Sequence, residues 1–108
     1  MTRNRFIIGL TVVLVLTLVG TPLLAADAAT LYKTKCFACH GEKGKGDTTM
    51  GKKLGVRDLG SAAVQGQTDA ALTAIIANGK QKMPAYSGKI ADPDIKALVA
   101  HIRTFAAK

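Results

Sequence analysis

Cys36, Cys39 and His40 stand in the order Cys-Phe-Ala-Cys-His. Two thiols separated by two residues can add across the two vinyl groups of a haem and form thioethers. The imidazole that follows directly is then held beneath the iron as its proximal ligand. This five-residue pattern is the attachment signal for c-type haem. Two other uses of paired thiols fit less well. A redox dithiol of the thioredoxin kind needs a βαβ setting, and no alternating strand pattern occurs here. Zinc wants four ligands. The one remaining histidine, His101, lies between Ala100 and Ile102 in a helical stretch and reads as a surface or boundary residue. The motif therefore predicts one covalently attached haem c on Cys36 and Cys39, with His40 as an axial ligand of its iron.

A thioether on the opposite face would complete a six-coordinate iron suited to electron transfer and raise its reduction potential. Beyond residue 26 there are two methionines. Met50 follows His40 by ten residues, a short path to the far face. Met83 follows it by 43 residues, in the polar stretch 79–87, between Lys82 and Pro84. Met83 is the expected second axial ligand.

Cys36–His40 followed by Gly41, a helix ending at Asn78-Gly79, the segment Lys82-Met83-Pro84-Ala85-Tyr86 and an amphipathic last helix together resemble a class I monohaem cytochrome c of bacterial periplasms. The resemblance extends over essentially all of 29–105. It implies an all-α fold whose N- and C-terminal helices cross near the haem edge. It also implies a diffusible carrier of single electrons, and no enzyme. Two departures stand out. Family members often have a proline soon after the attachment site, whose carbonyl accepts the Nδ1 proton of the histidine ligand. No proline lies between Gly41 and Met83, so a carbonyl near Leu54–Val56 is expected to take that part. Nor is there a tryptophan to reach a haem propionate, which leaves Arg57 or a lysine for that contact. Tyr86 is expected beside the haem.

The elements that must position these residues come from a short chain. Of the 108 residues, 48% are apolar, but 16 of the 52 apolar side chains fall within 1–26. Of the 36 that remain, fifteen are alanine. A domain so small buries about 60% of its unfolded surface and is marginal without a staple. Two cysteines exclude a disulfide-dense scaffold, and the ordinary apolar content excludes a disordered chain. Arg3 and Arg5, the uncharged run Phe6–Ala26 and the small-x-small segment Ala26-Asp27-Ala28 make a secretory signal. The expected division is a leader at 1–26 and one domain at 27–108, working in the periplasm. An uncleaved anchor is the alternative, since 21 residues could span a bilayer; Gly9, Gly20, Thr21 and Pro22 speak against it.

The net charge is +8, and +6 after removal of 1–26. Lys33, Lys35, Lys43, Lys45, Lys52, Lys53, Lys80, Lys82 and Lys89 flank the segments expected at the haem edge. Such a ring would steer the edge toward acidic redox partners, namely membrane oxidoreductases, terminal oxidases or reductases. Weak association with an anionic membrane surface fits the same charge. Nucleic acid does not, in an exported chain without a recognition motif. A monomer is expected.

Three main helices follow from the pattern. Ala28–Lys35 reads as a short helix. Thr68–Asn78 has Thr68 as N-cap, Asp69 in its first turn, Gly79 past its end, and Leu72, Ile75 and Ile76 on one face. The last helix has Asp92 as a cap candidate and Pro93 at its first position. Its apolar face is Ile95, Leu98, Val99, Ile102 and Phe105. Gly41–Gly66, with seven glycines, reads as a loop with short helical turns, passing close to something flat. The fold class is all-α: three main helices and long loops wrapped round the haem. Leu54, Val56, Leu59, Leu72, Ile76, Leu98 and Ile102 are expected around it, with Tyr32 and Phe37 nearby.

Overall fold

A computed structural model describes residues 14–15 and 23–106. Most of the expected leader therefore lies outside the described residues. Among those described, six helical segments form and no strand does: α1 (Leu23–Lys35), α2 (Phe37–His40), α3 (Thr49–Leu54), α4 (Ala62–Gln65), α5 (Asp69–Asn78) and α6 (Asp92–Arg103). None is long and apolar enough to cross a membrane.

The three longer helices are α1, α5 and α6. α5 forms as its caps predict. Thr68 Oγ1 accepts the Ala71 N–H at 3.1 Å, and the Gly79 N–H returns to the Ile75 carbonyl at 2.9 Å. α1 begins earlier than expected, at Leu23, because the run Leu-Leu-Ala-Ala consists of the strongest helix formers. The N-cap of α6 lies one residue before the proposed one, and Asp92 is already helical. The Ala91 carbonyl accepts from both Asp94 and Ile95 N–H, so Ala91 is the N-cap and no side chain caps the helix. Asp92 instead adds its charge, with Asp94, to the positive end of the helix dipole.

The two short turns in the glycine-rich stretch have their own punctuation. Thr48 caps α3 and Gly55 ends it in a left-handed conformation. Ser61 caps α4 and Gly66 follows it.

α1 and α5 both pack on α6. Ala28 and Tyr32 from α1, Leu72 and Ile76 from α5, and Ile95, Leu98, Val99 and Ile102 from α6 are buried, joined by Val64 from α4 and Ile90 from the loop before α6. On each helix these positions recur at three and four residues, so one apolar stripe per helix meets the others. A polar clamp closes the far end. Arg103 donates from Nη1 to the Gln65 carbonyl at 2.7 Å and from Nη2 to the Gln67 carbonyl at 2.5 Å. It also pairs with Asp69 at 2.8 Å. Gln65 Nε2 in turn donates to the Leu59 and Ile102 carbonyls at 2.8 and 3.0 Å. Together these bonds tie the 59–69 connection to the end of α6. Tyr32, His101 and Phe105 pack at tilted and edge-to-face angles with ring centres 5.0–5.2 Å apart.

Candidate cofactor site

α1 ends at Lys35 and the chain turns at once into α2, whose four residues are Phe37-Ala38-Cys39-His40. Backbone bonds hold this turn rigid. Cys39 and His40 N–H both donate to the Cys36 carbonyl, at 3.3 and 3.0 Å, and Cys36 N–H donates to the Tyr32 carbonyl at 2.8 Å. α3 packs directly against it. Thr48 Oγ1 donates to the Ala38 carbonyl at 2.8 Å and accepts the Gly51 N–H at 2.9 Å. Gly51 is buried there because only a residue without Cβ fits. A Cβ at this position would overlap the Cys39 carbonyl oxygen and lie 2.6 Å from that of Gly46.

Met83 arrives from the other side. The connection after α5 folds into a tight turn in which Met83 N–H donates to the Lys80 carbonyl at 2.9 Å and Lys80 N–H donates back at 3.2 Å. Gln81, inside the turn, has a left-handed φ of 54°, a conformation uncommon outside glycine. Gly79 lets the turn close, since a Cβ there would stand 2.7 Å from the Met83 carbonyl oxygen.

The structure brings Cys36, Cys39, His40 and Met83 to one cavity of about 490 Å³. That volume lies within the range of roughly 300–1,000 Å³ usual for cofactor and small-molecule sites. Leu54, Val56, Leu59, Leu72, Ile76 and Ile102 line it as expected, joined by Val64 and Ile75. Leu98 and Tyr32 belong to the helix core and do not line it. Phe37 is 39% exposed and faces away from the core, because the turn at Cys36 directs Cys36 and His40 inward instead. Met50 is 47% exposed and outside the cavity. The glycines correct another expectation. Of the seven in 41–66, only Gly55 lines the cavity. Gly44, Gly46, Gly51 and Gly60 mark places where the chain passes close to itself, against Phe105, Val56, Cys39 and Phe105 again.

Chemistry within the cavity is set by burial. His40 Nδ1 is buried and without a hydrogen-bond partner, the one such side-chain atom among the described residues. The carbonyl expected from 54–56 does not reach it; the Val56 carbonyl lies against Gly46 instead. Desolvation holds the His40 imidazole below its ordinary pKa, which favours the neutral form that ligates metals. Burial, with Cys39 beside it, pushes the Cys36 thiol up to about 11. Redox dithiols and nucleophilic cysteines depend on a lowered thiol pKa, so Cys36 is unsuited to either use. A neutral imidazole, two thiols, a thioether and an apolar wall fit a covalently held haem.

Lys35, Arg57, Lys80 and Lys82 line the cavity and no carboxylate does. Arg57 is thus placed where the sequence allows it. His101 is half-buried between Tyr32 and Phe105 and takes no part in the cavity. Tyr86 does line it, and its hydroxyl donates to the Lys35 carbonyl at 3.2 Å. Gln67 joins the lining without any signal in its local sequence; only the return of the 59–69 connection onto α6 brings it there.

Known proteins bear on this arrangement. Residues 24–102 match the family described as cytochrome c oxidase, cbb3-type, subunit III. The chain is 33% identical over 109 residues to cytochrome c6 of Picosynechococcus sp., covering 93% of this chain and 92% of that protein. It is 34% identical over 80 residues to the cbb3-type cytochrome c oxidase subunit CcoP of Azospirillum brasilense, covering 72% of this chain and 27% of that subunit. It thus spans about a quarter of the length of that relative. Among solved structures, the KustC0563 c-type cytochrome superposes with a TM-score of 0.69 at 30% identity, over 74% of this chain and 98% of that one.

Proposed function

The chain belongs to the cytochrome c family, as a domain like those of cbb3-type subunit III and cytochrome c6, and we propose that it carries single electrons between redox partners in the periplasm with one haem c held by Cys36, Cys39, His40 and Met83. The observation that carries this reading is the convergence of those four side chains, 47 positions apart in sequence at the extremes, on one apolar cavity. The chemistry a bound haem supplies there is one-electron exchange. The chain's own residues do the rest. Cys36 and Cys39 tether, the rigid turn at 36–40 aims the imidazole, and the 80–83 turn presents the thioether. With His40 and Met83 both given to the iron, a bound haem would leave no coordination site for a substrate, which is why a carrier fits better than an enzyme. Leu72, Ile76 and Ile102 exclude water, which disfavours the more highly charged oxidised state and raises the potential. The cationic rim of Lys35, Arg57, Lys80 and Lys82 favours acidic partner surfaces, whose approach it would accelerate. Likeness to CcoP supports a terminal oxidase as one such partner.

The test is an intact-mass measurement on the full chain from a strain competent in haem attachment, followed by ferric spectra of two variants. One covalent haem is expected. The weak long-wavelength band of a sulfur-ligated ferric haem should vanish in Met83→Ala and persist in Met50→Ala. An unmodified polypeptide mass overturns the haem assignment, and a band indifferent to Met83→Ala overturns the ligand assignment.

A further inference from the structure

We infer that the Tyr86 hydroxyl is a latch that sets the position of Met83 against the attachment turn, making Tyr86 a positioning residue for the axial thioether; this rests on the reading of Met83 as ligand. Of the hydrogen bonds that hold the 79–87 segment, three sets bear on the placement of Met83. The Lys80–Met83 pair closes its tip. At its base, Tyr86 N–H donates to the Ile76 carbonyl at 3.1 Å and Ser87 N–H to the Ala77 carbonyl at 2.9 Å. Both sets are local, joining the segment to itself or to α5, just before it. They leave open how far the segment stands from Cys36–His40.

The third bond is of another kind. Tyr86 Oη donates to the Lys35 carbonyl at 3.2 Å, between residues 51 apart in sequence. Lys35 is the last residue of α1 and directly precedes Cys36. Its carbonyl is among the four at a helix C-terminus that the helix cannot satisfy itself. The bond therefore joins the thioether side of the cavity to the thiol and imidazole side. Tyr86 is half-buried and lines the cavity between them. If Met83 left the iron by movement of this segment away from α2, the bond would have to break. The hydroxyl thus biases the segment toward the closed arrangement, beyond what the ring contributes by packing.

Tyr86→Phe removes the hydroxyl and keeps the ring. The probe is imidazole, titrated into the ferric holoprotein, where it takes the sixth position only when the thioether has left. A competent state that is rarely populated weakens apparent affinity in proportion. Loss of this exposed neutral hydrogen bond should then tighten apparent imidazole binding by about 2-fold to 5-fold, which converts to roughly 0.4–1 kcal/mol. Ile95→Val is the matched control. Ile95 is fully buried in α6 and outside the cavity, so the change destabilises the domain as a whole. It should leave imidazole affinity unchanged. Unchanged affinity in Tyr86→Phe, with the sulfur band present in the parent, overturns the latch alone. Equal tightening in Ile95→Val also overturns it, since general destabilisation would then account for the effect. A parent protein without the sulfur band overturns the Met83 reading and the latch together.

Discussion

Replacing Gly51 by alanine should loosen the haem-attachment turn from a distance. Gly51 sits inside α3, and the added Cβ would overlap the Cys39 carbonyl oxygen and meet the Gly46 carbonyl oxygen at 2.6 Å. Carbon–oxygen contacts settle near about 3.3–3.6 Å, so α3 must withdraw from α2 by about 1 Å. Both obstacles are backbone, and neither can rotate aside. Overpacking of this kind costs about 1–3 kcal/mol, and two backbone contacts place Gly51 at the upper end. Alanine regains about 0.8–1 kcal/mol of helix propensity, leaving a net loss of about 2 kcal/mol. In a domain this small that lowers the melting temperature by roughly 8–16 °C. Gly88→Ala separates the two ways a glycine can matter. Gly88 has φ 78°, no atom lies within 4 Å of where its Cβ would stand, and it is outside the cavity. Only left-handed strain of about 1–2 kcal/mol applies there. Thermal unfolding of the holoprotein decides the matter, read alongside the long-wavelength band as a check on the ligands. A Gly51→Ala variant as stable as the parent within about 0.5 kcal/mol would refute the steric reasoning.

Other outcomes follow from the same contacts. Arg103→Met should cost about 1–2 kcal/mol, because the Gln65 and Gln67 carbonyls lose a charged donor. Asp69→Asn should cost less than about 1 kcal/mol, since the Asp69 side chain is 77% exposed and its ion pair is screened by water; urea unfolding of both variants compares them. His101 has its pKa lowered by burial. Its contribution is therefore complete above the unfolded value near 6.5 and declines as pH falls from there toward the lower folded value. The fall in stability across that window should be smaller in His101→Gln, measured by unfolding at a series of pH values.

The residues that make up the candidate site are legible as types and spacings without any knowledge of the fold. Cys36, Cys39 and His40 lie within five residues of chain, so their chemistry is local. Met83 is legible because it stands before a proline in a polar stretch, where a purely structural methionine is out of place. α5 and α6 are legible for the same reason as the attachment motif, since caps and three- and four-residue spacing are local properties. The sequence places the cap of α6 one residue late because either Ala91 or Asp92 can supply the first carbonyl, and only the backbone path decides which does.

The glycines between 41 and 66 are harder to read. Their number points to a close approach, but a glycine does not say what it approaches. Six of them face other parts of the same chain within reach of a Cβ, and only Gly55 lines the cavity. Phe37 misleads because a residue between two attachment cysteines looks as though it must be near the cofactor. The tight turn at Cys36 points it outward.

The sequence by itself determined the chemistry: thiols, an imidazole and a thioether, their order, the helices that flank them and the positive charge around them. These depend on bonding and on neighbours in the chain. Tertiary structure alone decided that α6 is bound to the 59–69 connection through Arg103 and Gln65, that Gln67 reaches the cavity, and that the Tyr86 hydroxyl finds the carbonyl before Cys36. Each of these joins residues that are remote in the chain, and a hydrogen bond depends on tenths of an ångström that only the packing of α1, α5 and α6 sets.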